Sequence, residues 1–525
     1  MRYSVVSSSE WTYPDRMEYE SASQDIILRT PRNSYATAQV LLSDVPEGAR
    51  VSVTASGNLS GLPLESYELV PVYVEDNPFL PKGEVVNGCP SRWAPFEIYD
   101  CVKPLGATLT PNGGVAGLYL SFTVLSDAAP GEYSGVVAVT AAGDTFEIPA
   151  SIIVYKAAVP VEEHIKINNG YVSAKTAQYH NVETGSPELA ALDEAYLKTL
   201  RRLRQNSLYT HGIYATPGND GKYTFDFTEF EAFVTKALSL GFKYFIAPSI
   251  GWRESWKKPD INVVIGGVKI PAMSYEAYDY LAQYFKVFRV LLEAKGWSDR
   301  FYISISDEPN EENATVYRAL CGLVRKLAPG MRLWDAVSYV PIHGALDCWV
   351  PLNSEYDMHR KEFETFRAGS DELWHYVCCG PRSEGYINRF MDYPLLSTRY
   401  LFWGNYLYNL SGYLHWAANH YQPGQDPFTQ NCPRHINTDN ETILPAGDTH
   451  IVYPGEDGPW MSMRLEAQRQ SAEDFELLRL LAQKDKAKAD GLCRRCFKSF
   501  NAVEYDVKAF NGVMKELYEA VSDIA

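Results

Sequence analysis

From residue 164 onward the chain repeats one unit, a short apolar strand followed by an amphipathic helix, and this repetition restricts the fold more than any other feature. Strand-like runs occur at residues 164–171, 207–213, 243–250, 300–308, 331–337, 346–350, 373–379 and 412–416. Helical patterns separate them at 188–205, 228–240, 274–295 and 314–327, with Gly241 and Gly296 ending two of these helices. Eight strands alternating with helices over ~250 residues match a closed barrel. An open doubly wound sheet is the competitor, but no glycine-rich phosphate loop follows the first strand. The predicted class is α/β, with a TIM-like (β/α)8 barrel at 164–460.

Residues 1–158 have a different grammar. Short alternating runs at 36–42, 50–54, 118–124 and 135–140 are punctuated by turns such as Pro130-Gly131, with no helices between them. This predicts an all-β sandwich, joined to the barrel by a linker around Pro160. Residues 461–525 read as a short, charged helical region with helices at 461–482 and 502–522.

Composition narrows the function. A net charge of −17 argues against nucleic acid and anionic membrane as partners, because both require basic patches. No run of 18 apolar residues is present, so no membrane insertion is expected. The 36 Tyr and 11 Trp call for either heavy core packing or an aromatic-lined site. Residues 1–16 have no apolar run, so the chain reads as cytoplasmic, or as secreted or periplasmic if a leader has been removed. Nine scattered cysteines suit a reducing compartment. Cys493-Arg-Arg-Cys496 has redox or metal spacing but no second Cys/His pair, and Cys378-Cys379 read as packing residues on a strand.

The fourth barrel strand carries the chemistry. Ile303 and Ile305 alternate with Ser304 and Ser306, and the run ends at Asp307-Glu308-Pro309. Parity puts Ser304, Ser306 and Glu308 on the inward face. Pro309 cannot join a ladder and is expected to hold Glu308 extended. Adjacent carboxyls repel, so at least one should have a raised pKa and be able to act as a general acid near neutral pH. On an ordinary surface such a pair would cap a turn or face solvent. At the end of a barrel strand, where active sites gather, chemistry is the better reading.

The segment Lys295-Gly-Trp-Ser-Asp-Arg-Phe-Tyr-Ile-Ser-Ile-Ser-Asp-Glu-Pro309 resembles the fourth-strand region of glycoside hydrolase family 123, the retaining β-N-acetylgalactosaminidases. Tyr453-Pro-Gly-Glu-Asp-Gly-Pro-Trp-Met-Ser-Met-Arg-Leu-Glu-Ala467 with Glu473-Asp-Phe-Glu-Leu-Leu478, and Asp127-Ala-Ala-Pro-Gly-Glu-Tyr-Ser-Gly135, are similar to the barrel-closing segment and the sandwich turn of that family. The resemblance implies an exo-glycosidase that needs no cofactor or metal. In its mechanism the sugar's 2-acetamido carbonyl attacks the anomeric carbon. Asp307 would orient the acetamido N–H, while Glu308 protonates the leaving oxygen and later deprotonates water.

Residues expected to line the sugar pocket lie at the other strand ends: Asn168, His211, Trp252, Trp334, Asp335, Trp349, Tyr376, His415, Trp416 and Asn419. Tyr376, His415 and Trp349 are the strongest of these. The long polar loop 421–453, with Cys432, His435 and Asp439, reads as a lid; it has too few ligands for a metal site. Two alternatives stay open. One is a two-carboxylate glycosidase with Glu308 as acid/base and Asp335, Glu355 or Glu384 as nucleophile; the other is a glycan-binding protein without catalysis. Whether the chain forms a homo-oligomer is also open.

Overall fold

The computed structural model describes residues 1–382, 384–436 and 441–524. The barrel has eight parallel strands: Lys166–Asn169, Ser207–Tyr209, Tyr244–Ala247, Phe301–Ser304, Arg332–Val337, Cys348–Pro351, Glu372–Tyr376 and Gly412–His415. Consecutive strands are neighbours from the second to the eighth, and the first pairs with the eighth. Each lies within one of the runs expected from the sequence, give or take a residue at the ends.

The seam between the first and second strands has one backbone bond, from Asn206 N to Ile167 O at 3.3 Å, and is otherwise closed by side chains. Ile167 N donates to Asn206 Oδ1 at 3.0 Å, and Asn169 N donates to Gln205 Oε1 at 3.0 Å. Gln205 Nε2 returns a bond to Asn169 O at 3.0 Å. A carboxamide has the same donor and acceptor as a peptide group, so it satisfies buried backbone that would otherwise be orphaned.

Alternation divides the strands between two cores. Inside the barrel lie Ile246, Tyr302, Trp334, Ala336, Cys348, Val350, Trp374, Tyr376 and Leu414. Facing the helices are Ile167, Phe245, Phe301, Ile303, Leu333, Trp349, Leu373 and Tyr413. The N-terminal end of the barrel is plugged by half-buried Glu372. It accepts from Lys166 Nζ (2.5 Å), Tyr302 OH (2.8 Å), Trp374 Nε1 (2.8 Å) and Ser411 Oγ (2.7 Å). The opposite end is the mouth.

The N-terminal region forms two sheets around a shared core that includes Val40, Leu118, Phe122, Val139 and Ile152. The four-stranded sheet is mixed, because Ile26–Arg32 runs parallel to Asp144–Ala158. The seven-stranded sheet takes two strands, Tyr453–Gly455 and Gly458–Ser462, from beyond the barrel.

The C-terminal region departs from expectation in two ways. It contains a third helix, Lys486–Cys496, and its last helix starts at Val507 because Ala502–Val503 pairs with Phe497–Ser499. In addition, Met463–Lys484 is buried on nearly all sides, charges included. Glu466 accepts from Arg202 Nε (2.6 Å), Arg469 Nε (3.1 Å) and Tyr119 OH (2.8 Å), which joins the barrel, this helix and the N-terminal sheet. Burial alone would raise the Glu466 carboxyl, but the two guanidinium groups hold it down to about 2.

Candidate active site

The fourth strand ends at Ser304, earlier than its sequence pattern implied, and Asp335 on the fifth strand is the reason. The buried Asp335 carboxylate accepts from Ser304 Oγ (2.7 Å), Ile305 N (3.0 Å), Ser306 N (3.0 Å) and Tyr317 OH (2.7 Å). It thereby takes two backbone donors out of the ladder and bends the chain at the mouth. With four donors on its two oxygens, Asp335 positions the strand end. Neither of the functions expected of it, sugar contact or covalent nucleophile, fits that arrangement.

Beyond the bend, Asp307 and Glu308 have φ values of +52° and +27°. Pro309 therefore does not hold Glu308 extended, as expected; the backbone there is left-handed. Consecutive left-handed residues other than glycine cost on the order of 1–3 kcal/mol each and persist only where the surroundings over-determine them. Here Arg253 Nη2 grips the carbonyls of Asp307 (2.6 Å) and Glu308 (3.1 Å), and Asn310 Nδ2 is tied to Trp256 O at 2.6 Å. Across the mouth, Tyr376 OH on the seventh strand donates to Glu308 Oε1.

Of the two carboxyls, Asp307 is the one whose pKa is raised. Asp307 is exposed at the mouth, with Glu308 half-buried beside it. Desolvation of the carboxyl by the surrounding protein comes first, followed by the charges of Glu308 and Asp335, and together they push Asp307 up to about 8. Arg253 opposes the shift only partly. The expectation had the proton on Glu308 and the charge on Asp307, whereas the carboxyl whose pKa is raised is Asp307. The Tyr376 hydroxyl is pushed far up by burial and then by Glu308, so it remains a donor.

The other expected residues divide into two groups. Trp334 faces inward and packs edge-on against Tyr209 and Trp374, each at 5.9 Å between ring centres. Asn168 has the opposite parity to Ile167 and donates to Ser207 Oγ at 3.4 Å. Trp334 Nε1, Asn168 Oδ1 and Ser306 Oγ are all buried and without a partner among the described residues. Buried polar atoms are rarely left unpaired, so these three suit a ligand rich in hydroxyls. Half-buried Trp416 donates from Nε1 to Asp448 at 3.2 Å, and His415 Nε2 lies 3.2 Å from the same carboxyl. His415 is neutral: burial pushes its pKa far down, and its Nδ1 accepts from Ala417 N at 3.1 Å.

Four expected residues are placed elsewhere. Trp349 lies outside the barrel, stacked on Phe366 at 4.5 Å with Nε1 bonded to Asp371 at 2.8 Å, because the inward positions of its strand are Cys348 and Val350. Asn419 is fully used in a backbone stitch to Val172 N (2.9 Å) and O (3.1 Å) and to Thr176 Oγ1 (2.9 Å). His211 turns to Glu229 (3.1 Å) and Phe233. Trp252 lies under Lys269 Nζ, 3.6 Å from its ring centre, in an outer depression. Sequence reasoning missed Arg253, Tyr317 and Asp448, since nothing in their local pattern shows that they converge on the mouth.

In the 421–453 loop, expected to be a lid, the stretch 428–432 rests on the N-terminal sheet. Asn431 Nδ2 donates to Tyr73 O at 2.9 Å, and Tyr73 N donates to Phe428 O at 3.0 Å. Cys432 Sγ bonds Asp76 O at 3.2 Å, and His435 Nδ1 lies 3.2 Å from Gln422 Oε1. Asp439 lies outside the described residues. Among the described residues no group of three His, Cys, Asp or Glu could hold a metal ion, and no helix is long and apolar enough to cross a membrane.

The sequence matches the family model described as glycoside hydrolase 123, catalytic domain, over residues 171–481. Comparison with curated proteins gave no match. Among solved structures, a family 123 glycoside hydrolase from Clostridium perfringens, described for glycolipid glycan hydrolysis, has a TM-score of 0.73 at 14% identity over 99% of this chain and 97% of that one. At that identity the likeness speaks for the fold. The CBM22-1–GH10 modules of Clostridium thermocellum xylanase 10B align over 89% of this chain and 94% of theirs at 8% identity, with a TM-score of 0.35 that carries no argument.

Proposed function

We propose, from the premise that this chain belongs to glycoside hydrolase family 123, that it releases a terminal 2-acetamido sugar with retention of configuration, β-linked N-acetylgalactosamine being the first choice. The chain is a glycoside hydrolase; the sugar and the route are our reading. We take residues 164–460 as the catalytic unit, flanked by the N-terminal sheets and the C-terminal helices.

The observation that carries this reading is the pair itself: two consecutive carboxyls at the barrel mouth, Asp307 with a raised pKa and Glu308 held by the Tyr376 hydroxyl. In the free enzyme Asp307 holds the proton. An acetamido N–H arriving at Asp307 is a hydrogen-bond donor and favours the ionised carboxylate. The new charge beside Glu308 then favours protonation there, so substrate binding itself moves the proton to the acid. The acetamido oxygen bonds to the anomeric carbon as the glycosidic C–O bond breaks, and Glu308 gives its proton to the departing oxygen. Ionised Asp307 stabilises the cationic ring that results. Water then opens that ring at the anomeric carbon and returns a proton to Glu308, restoring the acetamido group and the original configuration.

A panel of aryl β-glycosides with and without a 2-acetamido group, together with a thiazoline mimic of the cyclic intermediate, tests this. Hydrolysis confined to the acetamido sugars and tight thiazoline inhibition are expected. Equal turnover of sugars lacking the group, with no inhibition, would favour a covalent nucleophile. That second reading has already lost Asp335 to its four donors, leaving Glu355 and Glu384.

A further inference from the structure

In an extended strand consecutive side chains point to opposite faces, so Asp307 and Glu308 could not both serve one mouth if the fourth strand ran on unchanged. The left-handed backbone at the two residues, with φ of +52° and +27°, lifts that restriction. The loop after the third strand is built against it. Ile250 N donates to Ser304 O at 3.1 Å and Gly251 N to Ile305 O at 2.5 Å, so the loop runs beside the fourth strand up to the bend. A Cβ at Gly251 would lie 2.6 Å from Ile261 Cγ2 and 2.9 Å from both Ile305 O and Ser306 Cβ. Loop and bend therefore touch at a point where only glycine fits. Two residues on, one guanidinium spans the acid pair. Arg253 Nη2 donates to Asp307 O at 2.6 Å and Glu308 O at 3.1 Å, while Nη1 donates to Trp256 O at 3.1 Å. Trp256 O also accepts from Asn310 Nδ2 at 2.6 Å, which ties the loop back to the chain two residues beyond Glu308.

We infer that Arg253 is a positioning residue for the hydrolysis: by gripping both carbonyls it fixes the peptide between the two acids and turns Asp307 and Glu308 toward the same mouth. This rests on the roles proposed above for the pair and names the group that makes a pair of them. The shape of the cation matters more than its charge. A guanidinium presents planar donors at fixed angles, so one nitrogen can serve the two catalytic-turn carbonyls while the other anchors to Trp256. A lysine ammonium is a point charge on a flexible stem and offers no such fork. Left-handed residues other than glycine persist only where their surroundings over-determine them. Without the grip the turn relaxes toward extended backbone, which swings one carboxyl away from the sugar. Arg253 is half-buried, so a small guanidinium compound in solution can reach its place.

Kinetics and melting of the full-length chain, on a glycoside that the wild type hydrolyses, provide the test. Arg253→Ala is expected to lower kcat by about 100-fold, the usual loss when reacting groups are displaced by about an ångström, with KM and Tm little changed. Arg253→Lys should recover little of that loss. Methylguanidinium should restore part of kcat to Arg253→Ala in a saturable way and leave the wild type unaffected. Near-normal kcat in Arg253→Ala, or full recovery in Arg253→Lys, would overturn the inference. So would a kcat that falls only in step with Tm and is not rescued, since Arg253 would then be a stabilising contact alone. Glu308→Gln separates this inference from the one it rests on. A fully active Glu308→Gln removes the role of the pair, whereas an inactive Glu308→Gln beside an active Arg253→Ala removes the grip alone.

Discussion

The hydroxyl of Tyr376 donates to Glu308 Oε1, so the seventh strand holds the reactive end of the fourth across the open mouth of the barrel. Removing this donor leaves the carboxyl free to turn and without a charge-assisted bond of about 1.5–3 kcal/mol. Tyr376→Phe is expected to keep the fold and lower kcat/KM by about 10- to 100-fold on an aryl 2-acetamido glycoside. Unchanged kinetics would mean that the bond has no catalytic role.

The role of Glu308 can be isolated through the leaving group. Glu308→Gln should lose far more activity on alkyl or sugar leaving groups than on nitrophenyl ones, because only the former need protonation. Equal losses on both would contradict an acid role.

Asp335 and the carboxyl pair make opposite demands of a mutant. An amide at 335 with its oxygen in the Oδ2 place still accepts from the two backbone N–H groups and from Tyr317 OH, and the Ser304 hydroxyl can rotate to accept from its nitrogen. Asp335→Asn is therefore expected to retain turnover within about tenfold, whereas a covalent nucleophile so changed would lose several orders of magnitude. Asp335→Ala strands four buried donors and should unfold at a markedly lower Tm.

The pH dependence follows from Asp307. Its carboxyl is pushed up to about 8 in the folded chain, so the folded state holds the proton more tightly than the unfolded one. The resulting stability is fully present below the ordinary carboxylate range and is lost as pH rises through about 8. Two consequences are expected. kcat/KM should fall on the alkaline side with a midpoint near 8, where the pair loses its shared proton. Asp307→Asn should be nearly inactive yet melt higher than wild type at pH 8, with little difference at pH 4. A profile flat to pH 10 would remove the shared proton from the scheme.

Glu466 is expected to matter for stability alone. Glu466→Gln leaves buried Arg469 and half-buried Arg202 with less compensation, which costs about 3–5 kcal/mol by analogy with other broken buried pairs. In wild type the carboxyl is held down to about 2, so this contribution is present at neutral pH and fades only as pH falls toward that value. A denaturation series from pH 7 to pH 3 on both proteins measures it.

The sequence by itself determined the eight strands, the helices that follow the first four of them and the inward parity of Ser304, because alternation and helical periodicity are properties of adjacent residues. It also marked Asp307 and Glu308, since two acids before a proline at a strand end are visible in one line of text. The expected place of Trp349 in the pocket failed because buried parallel strands are apolar on both faces, and only the packed barrel shows which face is outside. The bend after Ser304, the left-handed backbone at the acids and the seat of the proton depend on Asp335, Arg253 and Tyr376, which come from three other strands or loops. Charges and hydrogen bonds act through space, so only the tertiary structure decided them.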